Sequence, residues 1–243
     1  MRPMMLAIAA TILLLPTITA DCAVSDESLV AHWNFDEGSG EVAQDLTGNG
    51  HEAHLHGPEW VRTPRGHAVR FDGVDDVVTY ENVQSMIVEG DMTLMVWLRT
   101  RASDGAGTNR LIFGDSGYGV QRNLNLRLSS YDVIMFEWAD GSSNAILRAD
   151  VDLLDGSWKH LAVAADSDAG VITMYVDGEP VSEMRMPLPI SHAPTPGRMT
   201  GQWAGGCLKG DLDDIRLYDR ALSPEEVREA FTSQATVQIG RSR

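Results

Sequence analysis

The stretch Gly210–Phe231, GDLDDIRLYDRALSPEEVREAF, limits the fold more than any other part of the chain. Leu212–Tyr218 is rich in strand formers. By the period of two, Asp213, Ile215 and Leu217 share one face, and Leu212, Asp214, Arg216 and Tyr218 share the other. An acidic residue therefore enters a strand beside two aliphatics, which costs free energy unless the carboxylate is hydrogen-bonded, paired or metal-bound. The helix that follows is equally legible. Ser223 is its N-cap, Pro224 its first residue, and Glu226 completes a capping box. Val227 and Phe231, four apart, form a stripe that must dock on something already folded, because so short a helix does not hold alone.

The rest of the chain alternates short strand patterns with polar turns about every ten residues. Leu29–Asp36 has Leu29, Ala31, Trp33 and Phe35 on one face. Val69–Tyr80 reads as two strands folded about Asp72–Asp76. Met92–Thr100 is apolar on both faces and so central to a sheet. Leu111–Phe113, Leu124–Leu128, Val133–Trp138 and Ile146–Arg148 follow, then Trp158–Ala165 and Val171–Val176 with a hairpin turn at Asp177-Gly178. One good helix among many strands marks an all-β sandwich or barrel. The polar tail after Phe231 has no clear period and is expected to be disordered or extended.

Seven pieces in order, WNFDEGSG (33–40), DLTGNGHEAHL (45–55), GHAVRFDGVDDVVTY (66–80), MTLMVWLR (92–99), GSWKHLAVAAD (156–166), ITMYVDGEPV (172–181) and the closing stretch, resemble the laminin-G-like jelly-roll domains of the concanavalin A-like lectin and glucanase superfamily. The resemblance runs from about Leu29 to Phe231. It implies a two-sheet antiparallel jelly roll over 29–234, preceded by a signal peptide (1–20) and an extension (21–28) and followed by a tail (235–243). It also implies carbohydrate or extracellular ligands, but a fold of this kind hosts many functions.

Residues 1–20 have the make-up of an export signal: Arg2, the apolar run Met4–Leu15, and Ala20 at the cleavage point. No other segment is apolar enough to span a membrane, so the mature protein is expected to be exported. A lipid anchor on Cys22 is the rival, disfavoured by Asp21. With 19 basic and 35 acidic residues the chain carries a formal charge of −16, which disfavours nucleic acid and anionic membranes as partners. Cys22 and Cys207 are an even pair that reads as one disulfide in an oxidising compartment, because the family sets the first and last strands side by side. Two free thiols, or pairing to another molecule, are the alternatives.

Calcium is the leading site chemistry. It takes six to eight oxygens, and related jelly rolls hold a structural calcium where the first strand meets the last. By resemblance Asp213 is a ligand, with Asp36, Asn49 and the Gly50 carbonyl as companions. The alternative is that these aspartates bond loop amides or pair with Arg216 or Arg70. Asp72, Asp75 and Asp76 are expected to bond their own turn, and His54 and His56 to lie on an exposed polar edge. The glucanase motif E-x-D-x-x-E is missing. Glu137 and Asp140 come nearest, and Asp140 precedes Gly141 as a turn residue would. A non-catalytic module follows, binding a glycan or an extracellular protein, with Tyr118 and Trp203 as loop aromatics suited to ligand contact. An adhesion module contacting protein, or a glycoside-active enzyme with an atypical site, are the other readings.

Overall fold

The computed structural model describes residues 27–80, 86, 88–102, 108–115, 123–191, 197–200 and 206–240, excepting the side chains of 115 and 235–240. Within them run two antiparallel sheets of eight strands each. The first has the order β14 (Glu179–Arg185), β13 (Val171–Val176), β12 (Asp155–Asp166), β7 (Met92–Arg101), β16 (Lys209–Tyr218), β5 (Gly66–Asp72) and β4 (Glu59–Thr63), with β1 (Leu29–Trp33) also paired to β16. The second has the order β11 (Asn144–Ala149), β10 (Ile134–Ala139), β9 (Asn123–Leu128), β8 (Arg110–Asp115), β15 (Gly197–Thr200), β6 (Val77–Tyr80), β3 (Ala53–His56) and β2 (Val42–Ala43). This is the expected jelly-roll sandwich.

The inner faces meet in one continuous core. Trp33 lies 5.3 Å from Tyr80 between ring centroids, and Tyr80 stacks on Phe113 at the same separation. Strand β7 is central as its sequence requires. Leu94, Val96 and Leu98 join the main core, while Met95 lies on the other face in a second apolar cluster with Tyr175, Tyr218, Leu222 and Val227.

That second cluster is roofed by helix α1 (Pro224–Gly240). Its capping box forms as expected: the Ser223 amide donates to Glu226 Oε2 at 2.8 Å and the Glu226 amide to Ser223 Oγ at 3.2 Å. The helix continues past Phe231, where the sequence suggested an irregular tail. Thr232 and Ser233 turn their hydroxyls back onto the carbonyls of Arg228 and Ala230, and Gln234 accepts from the Trp97 indole. The part of the helix past Phe231, with no amphipathic period of its own, is held here by a tertiary contact.

Two other expectations change. The period of two breaks inside β16. Asp213 pairs with Trp97 and Arg216 with Met95, so two residues face one, and Asp214 takes a φ of 47°. This bulge shifts the phase. Leu212, Ile215 and Leu217 all enter the core, while Asp213 is turned to the outer face beside Trp97. Second, β5 and β6 are not a hairpin: the Asp72–Asp76 turn carries the chain from one sheet to the other.

Cys22 lies outside the described residues. Cys207 is a buried free thiol that donates to the Val74 carbonyl at 3.0 Å. The first and last strands are adjacent, as expected, but antiparallel: Leu29 pairs with Tyr218. Cys207 and the start of β1 therefore sit at opposite ends of β16, whose ten residues span roughly 30 Å. Six residues from Cys22 to Ser28 reach about 20 Å at full stretch, so adjacency of the strands does not by itself bring the cysteines together. Among the described residues no helix is long and apolar enough to cross a membrane.

Candidate functional site

Polar chemistry gathers on the outer faces of the two sheets. On the first, Asp36 and Asp213 line one cavity of about 170 Å³ together with His32, Asn34, Arg65, Asp214, Arg216 and Gln234. The chain brings them there by three local devices. The β16 bulge turns Asp213 outward. Asn34 and Asp36 exchange hydrogen bonds just past β1. The Thr63–Gly66 turn lets Asp36 approach closely, because a Cβ at Gly66 (φ 147°) would fall 1.8 Å from Asp36 Oδ1.

The cavity's carboxylates are each met by nitrogen donors. Asp36 Oδ1 accepts from the His67 amide at 2.9 Å and Oδ2 from Asn34 Nδ2 at 3.4 Å. Asp214 accepts from Arg216 at 2.9 and 3.1 Å and lies 2.7 Å from His32 Nε2. Asp213 pairs with Arg65 at 3.4 Å and also accepts the Asp214 amide. Burial pushes the Asp213 carboxyl up to about 7 against the pull of Arg65. Burial alone would also raise Asp214, but the His32 hydrogen bond and the Arg216 charge overcome it and hold that group at about 2.

Calcium was expected here, and the residues fit it poorly. Asn49 and Gly50 do not line the cavity; the Asn49 side chain donates to the Val30 carbonyl at 2.9 Å. Their loop is closed instead by Asp45, which accepts from the amides of His32, Thr47 and His51. Asp213 pairs with neither of the arginines considered from the sequence. Arg216 holds Asp214, and Arg70, with Arg99, holds the buried Asp211.

Elsewhere Asp72, Asp75 and Asp76 form an acidic cluster, one carboxylate oxygen of each lying within 4.8 Å of the others. The expected turn bonds are present: Val74 donates to Asp72 Oδ1 and Asp72 to Asp76 Oδ2, both at 2.7 Å. His54 and His56 are exposed on β3, with His56 Nε2 3.0 Å from Thr79 Oγ1.

On the second sheet, β9 alternates strictly as NLNLRL. Leu124, Leu126 and Leu128 enter the core, which places Asn123, Asn125 and Arg127 on the outer face. All three are nevertheless buried, Asn123 and Asn125 to 1% exposure. Arg127 donates to Glu137 Oε2 at 3.0 Å and to Asn109 Oδ1 at 3.1 Å, and Asn144 donates to Glu137 Oε1 at 3.1 Å. The row thus crosses β9, β10 and β11. Among the described residues, the side-chain carbonyl oxygens of Asn123 and Asn125 have no hydrogen-bond partner, a costly state for a buried amide. Gly114 clears space for Asn125, since a Cβ there would stand 2.5 Å from Asn125 Oδ1.

Glu137 is therefore engaged by Arg127 and Asn144, and Asp140 closes the β10–β11 turn by accepting from the Ser142 and Ser143 amides at 2.8 Å. Neither is arranged as a glycosidase acid–nucleophile pair. Tyr118 and Trp203 lie outside the described residues. The segments that carry them leave from opposite ends of the β8–β15 pair, after Asp115 and after Thr200. Asn125 and Arg127 were open to sequence reasoning through their alternation with leucine. Arg65, alone in a TPRG turn, gave no signal.

Fold and sites together define a lectin-like jelly roll with polar outer faces. The chain belongs to the Laminin_G_3 family of the concanavalin A-like lectin/glucanases superfamily, whose model matches residues 72–228. It is 30% identical over 81 residues to pig C-reactive protein and 25% identical over 150 residues to guinea-pig neuronal pentraxin-2, covering 30% and 56% of this chain. It spans about a third of the length of these relatives, 36% and 32%. Its fold is shared with the binding domain of Paraclostridial Mosquitocidal Protein 1 (TM-score 0.70, 16% identity, 86% of this chain and 53% of that one). It is shared also with domain 4 of AbnA, a GH43 extracellular arabinanase from Geobacillus stearothermophilus, in complex with arabinotriose (TM-score 0.66, 18% identity, 83% and 97%).

Proposed function

We propose that this protein is an exported, non-catalytic module that binds a glycan over the outer face of the second sheet. One observation carries the reading: two buried amide carbonyls, on Asn123 and Asn125, stand without partners among the described residues, beside the Arg127–Glu137 pair. Saccharide hydroxyls are donors and acceptors in equal measure, and they satisfy such a row better than an apolar partner would. The likeness to the arabinotriose-bound domain of AbnA supports a glycan ligand. Export rests on the signal-like residues 1–20. Calcium, which the resemblance implied, is no part of this reading, since the oxygens of Asp36 and Asp214 and the Asp213 carboxylate are already engaged.

The test is a glycan array followed by calorimetry, with arabino-oligosaccharides as first probes. Asn125→Ala and Arg127→Met should each weaken binding at least about tenfold, with the fold intact by circular dichroism. Glycan binding that both variants retain would move the site elsewhere. An array without hits, with retention of an extracellular protein instead, would favour the adhesion module.

A further inference from the structure

We propose that the Arg65 guanidinium is the resident cation of the Asp36–Asp213 cavity, serving where the jelly rolls this chain resembles place a divalent metal. This stands apart from the glycan reading, on the other sheet. The Arg65 guanidinium carbon lies 3.7 Å from the centre of the Trp97 ring and 4.7 Å from that of Trp158. A planar cation lying over two aromatic faces is held in one orientation, and desolvation strengthens both its π contacts and its ion pair. Its side chain is 8% exposed and that of Asp213 5%. The turn is shaped to present it: Pro64 fixes the preceding φ, Thr63 Oγ1 accepts the Arg65 amide at 3.1 Å, and Gly66 admits Asp36.

Charge and donors point the same way. Among the cavity's carboxylates, Asp214 is matched by Arg216 and His32, leaving Arg65 opposite Asp36 and Asp213. A divalent ion needs six to eight oxygens. Here Asp36 and Asp214 give both oxygens to N–H or imidazole groups, and Asn34 Oδ1 accepts the Asp36 amide. A metal entering would also stand against the guanidinium. Lysine could not replace Arg65 fully, because an ammonium lacks the plane that lies over the two indoles.

The experiment compares wild type, Arg65→Met, Arg65→Lys and Asp213→Asn by thermal unfolding in millimolar calcium and in chelator, and by terbium luminescence, which Trp97 and Trp158 are placed to sensitise. Expected is a wild-type midpoint moved by less than about 1 °C by calcium. In Arg65→Met the midpoint falls, calcium restores several degrees of it by binding only the folded state, and terbium emission appears. Arg65→Lys, which keeps the charge and is the safer variant to fold, should be mildly destabilised and remain indifferent to calcium. Terbium held at the Asp72–Asp76 turn would persist in Asp213→Asn and is recognised that way. A wild-type midpoint raised several degrees by calcium, with terbium emission lost in Asp213→Asn, would overturn the proposal, as would an Arg65→Lys protein whose calcium response equals that of such a wild type.

Discussion

The outer faces of the two sheets are built from similar residues and differ in how their carboxylates and amides are met. On the first sheet, Trp97 and His160 lie under α1, Phe231 stacks on Trp97 at 5.8 Å, and Asp211, Asp213 and Asp214 each have an arginine. On the second sheet, Arg127 and Glu137 pair, while among the described residues the neighbouring amide oxygens are unmet. Carboxylates that are all paired add rigidity, and amide oxygens left unmet hold the capacity to accept a ligand's donors. Under the proposed glycan reading, the first face serves stability and the second recognition.

The largest effect expected to expose that division is Trp97→Ala. Removing the ring takes away the Arg65 stack, the Phe231 contact and the Gln234 partner, and should cost about 3–5 kcal/mol in denaturant unfolding. Glycan affinity per folded molecule should stay unchanged; a parallel loss of affinity would erase the distinction between the faces.

Next in size is a pH effect confined to the first face. His160 is 1% exposed, both its ring nitrogens lack hydrogen-bond partners among the described residues, and burial lowers its pKa to about 4. The unfolded imidazole titrates near 6.5, so between pH 6.5 and 4 the unfolded state binds more protons and stability falls as pH drops, by roughly 3 kcal/mol in all. Asp213 acts with the opposite sign. Its raised pKa makes the folded state the better proton binder from about pH 4 to 7, so its contribution falls as pH rises. His160→Phe should abolish the acid-side loss and uncover the Asp213 slope. An unaltered pH profile in that variant would show that His160 is not the group responsible.

Smaller still is Ser223→Ala, which breaks the capping box that anchors the roof. About 1 kcal/mol should be lost, with hydrogen exchange rising in α1 before the strands of either sheet. The smallest stability change should come from Asn125→Ala on the second face, close to zero because the carbonyl removed had no partner, yet ligand titration should register it strongly. A large destabilisation there would mean the row is structural after all. Peptide mapping without reductant should find the Cys207 thiol unpaired; recovery of a Cys22–Cys207 peptide would show that Cys207 and the start of β1 come closer than their places at opposite ends of β16 allow.

Much of this molecule was legible in its residues. Alternating strands, the Asp177-Gly178 turn, the Ser223/Glu226 cap and the doubly apolar β7 are local consequences of period, turn chemistry and hydrogen-bond supply, and each formed where the residues placed it. What pairs with what was decided only in three dimensions. A single bulge at Asp214 moved Asp213 from the face its spacing assigned to the opposite one. The partner that met it, Arg65, lies 148 positions earlier in a turn with no motif of its own. The helix extended past its amphipathic stretch because Trp97 offers Gln234 a donor. Local sequence fixes the elements because their free energy comes from neighbours along the chain. The matching of buried charges depends on packing between distant segments, where one residue of phase is enough to exchange a candidate metal ligand for half of an ion pair.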